Sequence, residues 1–358
     1  MTTEAKRLTR YRRRALRAAD ACLLTRLPNL LYLVGFRGSS AALVLTHRAV
    51  LLFTDGRYRH QARAEVRGAR VVIHAGDPVA AAGRWLRSKG TGRVAYEADG
   101  LTTAQFEQLR RALGPGMELV PASARVEELR AVKDGEEVAA IRAGLQLTAR
   151  VFEEVLPYVR PGVRELDLAA ELEYRMKRHG ARGPAFETIV ASGPRAALPH
   201  GRATLKRLAG NELVVFDLGV ILGDYHSDMT RTVYVGNPSA EVKRTYGAVR
   251  EALAAAQAAV RAGVPAARVD AAARRRLERR GLGRFFVHGT GHGLGLEVHE
   301  EPRVGAKAMA RLAAGNVITL EPGVYRPGWG GVRIEDVVVV RRGGAERLTP
   351  LSTELLCL

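Results

Sequence analysis

The sequence predicts a mixed α/β protein of two domains, in which an N-terminal α/β domain precedes an α+β domain made of two similar halves. Three observations predict it. The chain has 358 residues, more than one hydrophobic core ordinarily covers. Before about residue 130, short apolar, β-branched runs alternate with helical patterns, and no cluster of chemistry-bearing side chains falls among them. Beyond it, Val159-Arg-Pro-Gly-Val163 recurs as Val260-Arg-Ala-Gly-Val264, at an offset of 101 residues.

In chain order, Leu30 to Val34, Ala42 to Leu45, Val50 to Thr54, Val71 to His74 and Val94 to Tyr96 read as strands. Asp77 to Ser88 and Thr103 to Leu113 read as helices between them. The boundary is expected at residues 128 and 129, giving domains 1–128 and 129–358. The first domain, lacking a catalytic cluster, is expected to serve oligomerisation and to wall the substrate cleft. Val132-Lys-Asp-Gly-Glu-Glu137 then opens a long amphipathic helix running to about Tyr158. Each copy of the repeat follows a long helix and precedes a second one ending in glycine, at Gly180 or Gly281. Each second helix leads to a strand-like segment bearing a histidine, His200 or His288. Two halves of this kind are expected to place their shared chemistry at their shared sheet.

Two hairpins carry acids inside apolar strands. Glu212 to Ile221 and Ser227 to Val235 flank a Leu-Gly-Asp-Tyr-His turn. A side-chain period of two puts Val215, Asp217 and Gly219 on one face, and Asp228, Thr230 and Thr232 on one face of the partner strand. Asn316 to Gly323 and Gly331 to Val340 repeat the arrangement with Glu321 and Glu335, and Arg333 points the same way as Glu335. An acid within an apolar strand is costly unless it is paired or bound to a cation. Phe286 to Glu300 adds His288, His292 and His299 within twelve residues, in a chain with nine histidines. Gly291, Gly293 and Gly295 flank His292, so backbone and ligands can approach it closely. Four carboxylates and one imidazole make an oxygen-rich site for two divalent cations, a pairing suited to hydrolysis. His226 falls in the first hairpin's turn, where a solvent-facing role is at least as good a reading as a functional one. His47, His60, His74 and His179 have no supporting context.

The ordered set Asp217, Asp228, His292, Glu321, Glu335 resembles the metal ligands of the pita-bread metallopeptidases, and His288 to Glu300 resembles the proline-peptidase signature shared by prolidase and aminopeptidase P. Thr188 to Gly201, Ser227 to Thr232, Val332 to Asp336, Asn29 to Ser40 and Thr54 to Tyr58 resemble further blocks, so the likeness spans nearly the whole chain. It implies a creatinase-like N-terminal domain and a C-terminal pita-bread domain with pseudo-two-fold halves. By the same resemblance Asp217 chelates one metal, His292 and Glu321 hold the other, and Asp228 and Glu335 bridge the pair with a hydroxide that attacks the peptide bond. Glu321 also shuttles the nucleophile's proton, His200 helps the leaving nitrogen and His299 steadies the carbonyl oxygen. His288 shapes the substrate pocket, and Arg333 orients the bridging carboxylates from behind.

The implied activity is hydrolysis of Xaa-Pro bonds. Glu300-Glu-Pro-Arg303 resembles the compact prolidases, in which an arginine at this place meets the carboxylate of a dipeptide. That favours an Xaa-Pro dipeptidase with Arg303 binding substrate, while aminopeptidase P acting on longer peptides stays open and a surface role for Arg303 competes. Methionine aminopeptidases share the ligands but generally lack such a first domain. Binding-only relatives have usually lost ligands, which sets a non-catalytic role lower. The cations are expected to be Mn or Co, with Zn or Fe as alternatives.

Composition agrees. Of 56 basic residues only 7 are lysine, so the net charge of +19 reflects spread-out arginine rather than a basic patch interleaved with aromatics, and no nucleic-acid partner is expected. No apolar run approaches a membrane span, and no membrane partner is expected. The basic first twenty residues lack the apolar stretch of a secretory signal, and Cys22 and Cys357 lack metal-type spacing. A cytoplasmic setting is expected, and the resemblance implies a homodimer.

Overall fold

A computed structural model describes residues 2–122 and 125–358. The chain divides into two compact units, Met1–Arg130 and Ala131–Leu358.

The first unit holds α1 (Thr3–Ala15), β1 (Ala21–Leu24), α2 (Leu27–Val34), β2 (Ala41–Thr46), β3 (Val50–Asp55), α3 (Arg59–Glu65), β4 (Arg70–His74), α4 (Pro78–Ser88), β5 (Arg93–Tyr96), α5 (Thr103–Leu113), β6 (Glu118–Pro121) and α6 (Glu127–Arg130). Its six strands form one mixed sheet in the order β4-β3-β2-β1-β5-β6. Leu30 to Val34 is helical here, not a strand. Short apolar runs are ambiguous between the two periods. The deciding signals are Pro28 in the first turn and Gly35 in the left-handed region, φ 78°, as the C-terminal cap. The central strand β1, four buried residues long, also went unread.

The second unit begins with α7 (Gly135–Val155), whose N-cap Asp134 and Glu137 form a reciprocal capping box. It continues through α8 (Glu165–Arg178), β7 (Gly183–Pro184), β8 (Ile189–Ser192), β9 (Glu212–Leu218), β10 (Val220–Leu222), β11 (Tyr225–His226) and β12 (Met229–Val235). Then follow α9 (Ala240–Ala259), α10 (Ala266–Arg279), β13 (Gly291–Gly293), β14 (Glu300–Val304), β15 (Val317–Leu320), β16 (Gly323–Arg326), β17 (Gly330–Arg333), β18 (Asp336–Val340), β19 (Ala345–Arg347) and β20 (Leu356–Cys357).

The repeat read from sequence is physical. α7 and α8 correspond to α9 and α10, and each pair of helices covers its own sheet. The strand order β12-β9-β8 in one sheet matches β18-β15-β13 in the other. The two repeat loops even make equivalent bonds: the Gly162 N–H donates to the Leu208 carbonyl at 2.8 Å, and the Gly263 N–H to Leu312 at 2.7 Å. Fully buried residues such as Leu172 and Leu277 anchor the two cores, each side chain contributing about 1.5–3 kcal/mol.

Both acidic hairpins form, but three of the four acids, Asp228, Glu321 and Glu335, fall where the strands break, while Asp217 stays within β9. β9 pairs with β12 so that Thr230 lies opposite Asp217 and Thr232 opposite Val215. The two-residue tip is Gly223-Asp224, with φ 55° and 71°, as a primed hairpin turn requires. His226 therefore lies on a strand rather than in the turn, half-buried, its N–H donating to the Gly295 carbonyl at 2.8 Å. Ser227 and Asp228 leave the ladder, because the Ser227 carbonyl presses against Gly219, where a Cβ would sit 1.9 Å from it. The segment read as one strand from Gly331 to Val340 is β17 and β18 separated by Ile334-Glu335, and Glu321-Pro322 likewise separates β15 from β16. His200 and His288 lie in loops rather than strands.

Candidate metal centre

All ten side chains singled out from the sequence line one cavity of about 520 Å³ in the second unit: His200, Asp217, Asp228, His288, His292, His299, Arg303, Glu321, Arg333 and Glu335. Its floor is the junction of the two sheets. Asp217 is the penultimate residue of β9, Asp228 precedes β12, Glu321 follows β15 and Glu335 precedes β18. One ligand atom each from Asp228, His292 and Glu335 lies within 4.8 Å of the others. His292 Nε2 is 3.6 Å from Asp228 Oδ2 and 3.5 Å from Glu321 Oε1.

The hydrogen bonds leave one oxygen spare where a cation needs it. Asp217 Oδ2 accepts from Arg333 at 2.6 Å and Glu335 Oε2 accepts from the Thr230 hydroxyl at 2.7 Å. Asp217 Oδ1 and Glu335 Oε1 are buried with no hydrogen-bond partner. Such orphaned oxygens are expensive unless a cation takes them. His292 is built to the same end. Its Nδ1–H donates to the Gly293 carbonyl at 3.0 Å, which leaves Nε2 as the bare nitrogen facing the acids. Burial lowers its pKa to about 4, so the ring is neutral and its lone pair free. The flanking glycines are required: a Cβ at Gly291 would lie 1.9 Å from the Thr319 carbonyl, and one at Gly293 2.2 Å from that of Glu301.

Four acids converge on one small volume. Burial, then Glu335, Asp217 and Glu321, raise the Asp228 pKa well above the carboxylate range. Burial, then Glu321 and Asp217, do the same to Glu335. Glu321 rises to about 8, mainly through burial, with Arg333 opposing and Asp217 adding to it. Without cations the cluster therefore holds protons at neutral pH, and divalent ions displace them. The donor set fits two hard or borderline cations.

Arg333 departs from its expected place. It reaches Asp217 at 2.6 Å, the Tyr325 hydroxyl at 2.8 Å and the Pro199 carbonyl at 2.9 Å, and its Nε donates to Thr230 at 3.1 Å. It thus holds Asp217 and the loop carrying His200, and touches Glu335 only through Thr230, rather than orienting Asp228 and Glu335 directly. Tyr325 passes the contact on, since its hydroxyl is 2.8 Å from His288 Nε2. Sequence reasoning assigned Tyr325 and Thr230 no role. Thr230 could have been found by its period of two from Asp228. Tyr325 lies four residues past Glu321, but the break at Pro322 hides that relation.

The rest of the wall is equally supported. The His299 ring packs on that of His292 with centroids 4.4 Å apart. Asp270 on α10 accepts from the Thr290 N–H and hydroxyl, and Arg274 from the next turn donates to the Phe286 and His288 carbonyls at 2.9 Å each. Behind the loop, Lys133 Nζ meets Glu300 at 2.8 Å, with both side chains buried. Arg303 lines the cavity with an exposed guanidinium that has no acid or carbonyl partner among the described residues.

Residues 139–342 match the model of metallopeptidase family M24, and residues 7–132 match the creatinase/prolidase N-terminal domain. The chain is 37% identical over 339 residues to the uncharacterized peptidase YqhT of Bacillus subtilis, covering 95% of this chain and 96% of that one. An Xaa-Pro dipeptidase from Bacillus anthracis has the same fold, with a TM-score of 0.94 at 35% identity over 99% of both chains. An X-Pro aminopeptidase from Thermotoga maritima gives 0.90 at 35% identity, over 98% of this chain and 100% of its own.

Proposed function

The chain belongs to metallopeptidase family M24, and from that premise we propose that it is an Xaa-Pro dipeptidase. In this reading Asp217 would chelate one divalent cation, His292 and Glu321 the other, and Asp228 and Glu335 both, with Mn or Co as the native ions. Two such cations lower the pKa of a water and polarise the scissile carbonyl.

The chain's own residues supply the rest. Glu321, whose proton affinity burial has raised, takes the proton released as the nucleophile forms and returns it towards the leaving nitrogen. His299, held against the His292 ring, donates to the carbonyl oxygen as negative charge gathers there. His200 meets the proline nitrogen, on a loop that Arg333 grips through the Pro199 carbonyl. His288, fixed between Tyr325 and its neighbouring carbonyl, shapes the pocket. A cytoplasmic homodimer, with the first unit serving oligomerisation, belongs to the same proposal. Two free cysteines, Cys22 and Cys357, agree with a reducing setting.

One observation carries the preference for dipeptides. Arg303 offers an unspent guanidinium to the cavity, and a guanidinium there favours a free carboxylate one residue beyond the scissile bond. The test compares Ala-Pro with Ala-Pro-Ala in Mn and in Co, with Asp228→Asn as the inactive control. Preferential hydrolysis of Ala-Pro is expected. Arg303→Ala should raise KM for Ala-Pro by about 10–100-fold, the worth of one charge-assisted bond. Faster cleavage of the tripeptide, unaffected by Arg303→Ala, makes the chain an aminopeptidase P instead. No metal-dependent cleavage of either refutes both.

A further inference from the structure

We propose that Glu187 and Arg202 form a charge reader for the side chain that precedes proline, so that acidic and basic Xaa-Pro substrates are each met by one partner of the pair. The inference rests on the dipeptidase reading above.

Both residues line the cavity, and they bond to each other at 2.9 Å, Arg202 Nε to Glu187 Oε2. Their side chains are 77% and 60% exposed, respectively. An ion pair this open to water is screened and weak, so a competing charge opens it easily. The other charged groups of the cavity are already committed. Asp217, Asp228, Glu321 and Glu335 form the candidate metal centre, and Arg333 is buried against Asp217. Arg303 is assigned to the proline carboxylate. Among the lining residues, Glu187 is the one carboxylate and Arg202 the one guanidinium left over.

The surroundings suit a side chain that projects past them. Phe186 and Ile189 flank Glu187 in the lining, and they offer apolar contact to the methylenes of a long side chain. A lysine or arginine before proline would displace Arg202 and pair with Glu187. A glutamate or aspartate would displace Glu187 and pair with Arg202. Neither swap needs a buried charge to be uncovered.

The experiment measures kcat/KM for Glu-Pro and Lys-Pro, each normalised to Ala-Pro, in the metal-loaded full-length protein. Glu187→Gln leaves Arg202 unopposed and should raise the Glu-Pro to Lys-Pro ratio by about 3–10-fold, and Arg202→Gln should lower it by a similar factor, as contacts at this exposure allow. Arg182→Gln is the control for the general field. That arginine is 68% exposed beside Asp224 and does not line the cavity. Opposite shifts in the two cavity variants, with little change in the control, establish the reader. Shifts in the same direction, shifts under twofold, or a control shift as large as that of Arg202→Gln overturn it. If the wild-type protein cleaves no Xaa-Pro dipeptide, the dipeptidase reading has failed and this inference falls with it.

Discussion

Replacing Glu321 by glutamine should stabilise the cation-free protein while destroying its activity. In the folded chain without cations, burial raises the Glu321 pKa from 4.5 to about 8. A group whose folded pKa exceeds its unfolded one binds more protons in the folded state across that window, so stability falls as pH rises through it. At about 1.4 kcal/mol per tenfold change in proton affinity, the rise from 4.5 to about 8 costs the ionised protein about 5 kcal/mol. The carboxylates share this cost, since the Glu321 charge also helps to raise Asp228 and Glu335. Relief of half of it, about 2–3 kcal/mol, would lift the melting temperature of a unit this size by about 4–12 °C.

Thermal unfolding in EDTA at pH 6.5 and 8.0 tests this. Below pH 6.5 the signal is mixed, because burial lowers the pKa of His288 and His292 to about 4 each. Those two groups make stability rise with pH between about 4 and 6.5, opposite to the carboxylates. Between 6.5 and 8.0 the opposing histidine contribution fades as the unfolded-state imidazoles finish deprotonating, and the acids dominate. The wild-type protein should lose stability over that interval and the variant should lose less. At pH 8.0 the variant should melt higher in EDTA, and Mn should raise the wild-type melting temperature far more than that of the variant. A variant that melts at or below the wild type at pH 8.0, or a wild-type melting temperature flat from 6.5 to 8.0, would falsify the account of the acid cluster.

Three further outcomes follow from single contacts. Lys133→Met removes the buried ammonium that meets Glu300 at 2.8 Å, which should cost about 3–5 kcal/mol in urea unfolding, and adding Glu300→Gln should recover most of that; an additive double variant would refute the pairing. Gly291→Ala drives a Cβ into the Thr319 carbonyl beside His292, so it should lose both activity and about 1–3 kcal/mol of stability, as overpacking does; full activity would show that the strand can yield. Arg333→Lys keeps the charge but cannot serve Asp217, Tyr325 and Pro199 at once, so kcat should fall about 10–100-fold with the fold intact by circular dichroism; an unchanged kcat would remove Arg333 from the machinery.

The parts of the molecule that short-range periodicity governs were legible in the sequence. Period two alone puts Thr230 on the face of Asp228, though its place across from Asp217 depends on the turn, and the glycines around His292 announce the close approach found at Thr319. What was not legible depends on contacts without a sequence period. Leu30 to Val34 has too few residues to display a helical period, and only its caps distinguish it. The strand breaks at Asp228 and Glu335 follow from packing between the sheets. The partners of Arg333 lie up to 134 residues away, as Pro199 does, and no spacing rule reaches that far.

Those long-range contacts also explain why the acids meet. β12 belongs to the first half, and residues 333–336 to the second, yet the two are stitched residue by residue. Thr232 donates its hydroxyl to the Arg333 carbonyl at 2.9 Å, and the Glu335 N–H donates to the Thr230 carbonyl at 3.1 Å. Between these threonines, Arg231 points to the opposite face, where it pairs with buried Asp336 at 2.8 Å and donates to the Glu335 carbonyl at 2.5 Å. Alternation along one strand thus divides the labour. The threonines steady Glu335 and Arg333 on one face, while the arginine between them locks the second half in register from the other. Because Glu335 is held by both faces of β12, its carboxylate has little freedom to relax away from Asp228. The repulsion between them is therefore built into the fold, and a cation held between them would answer it.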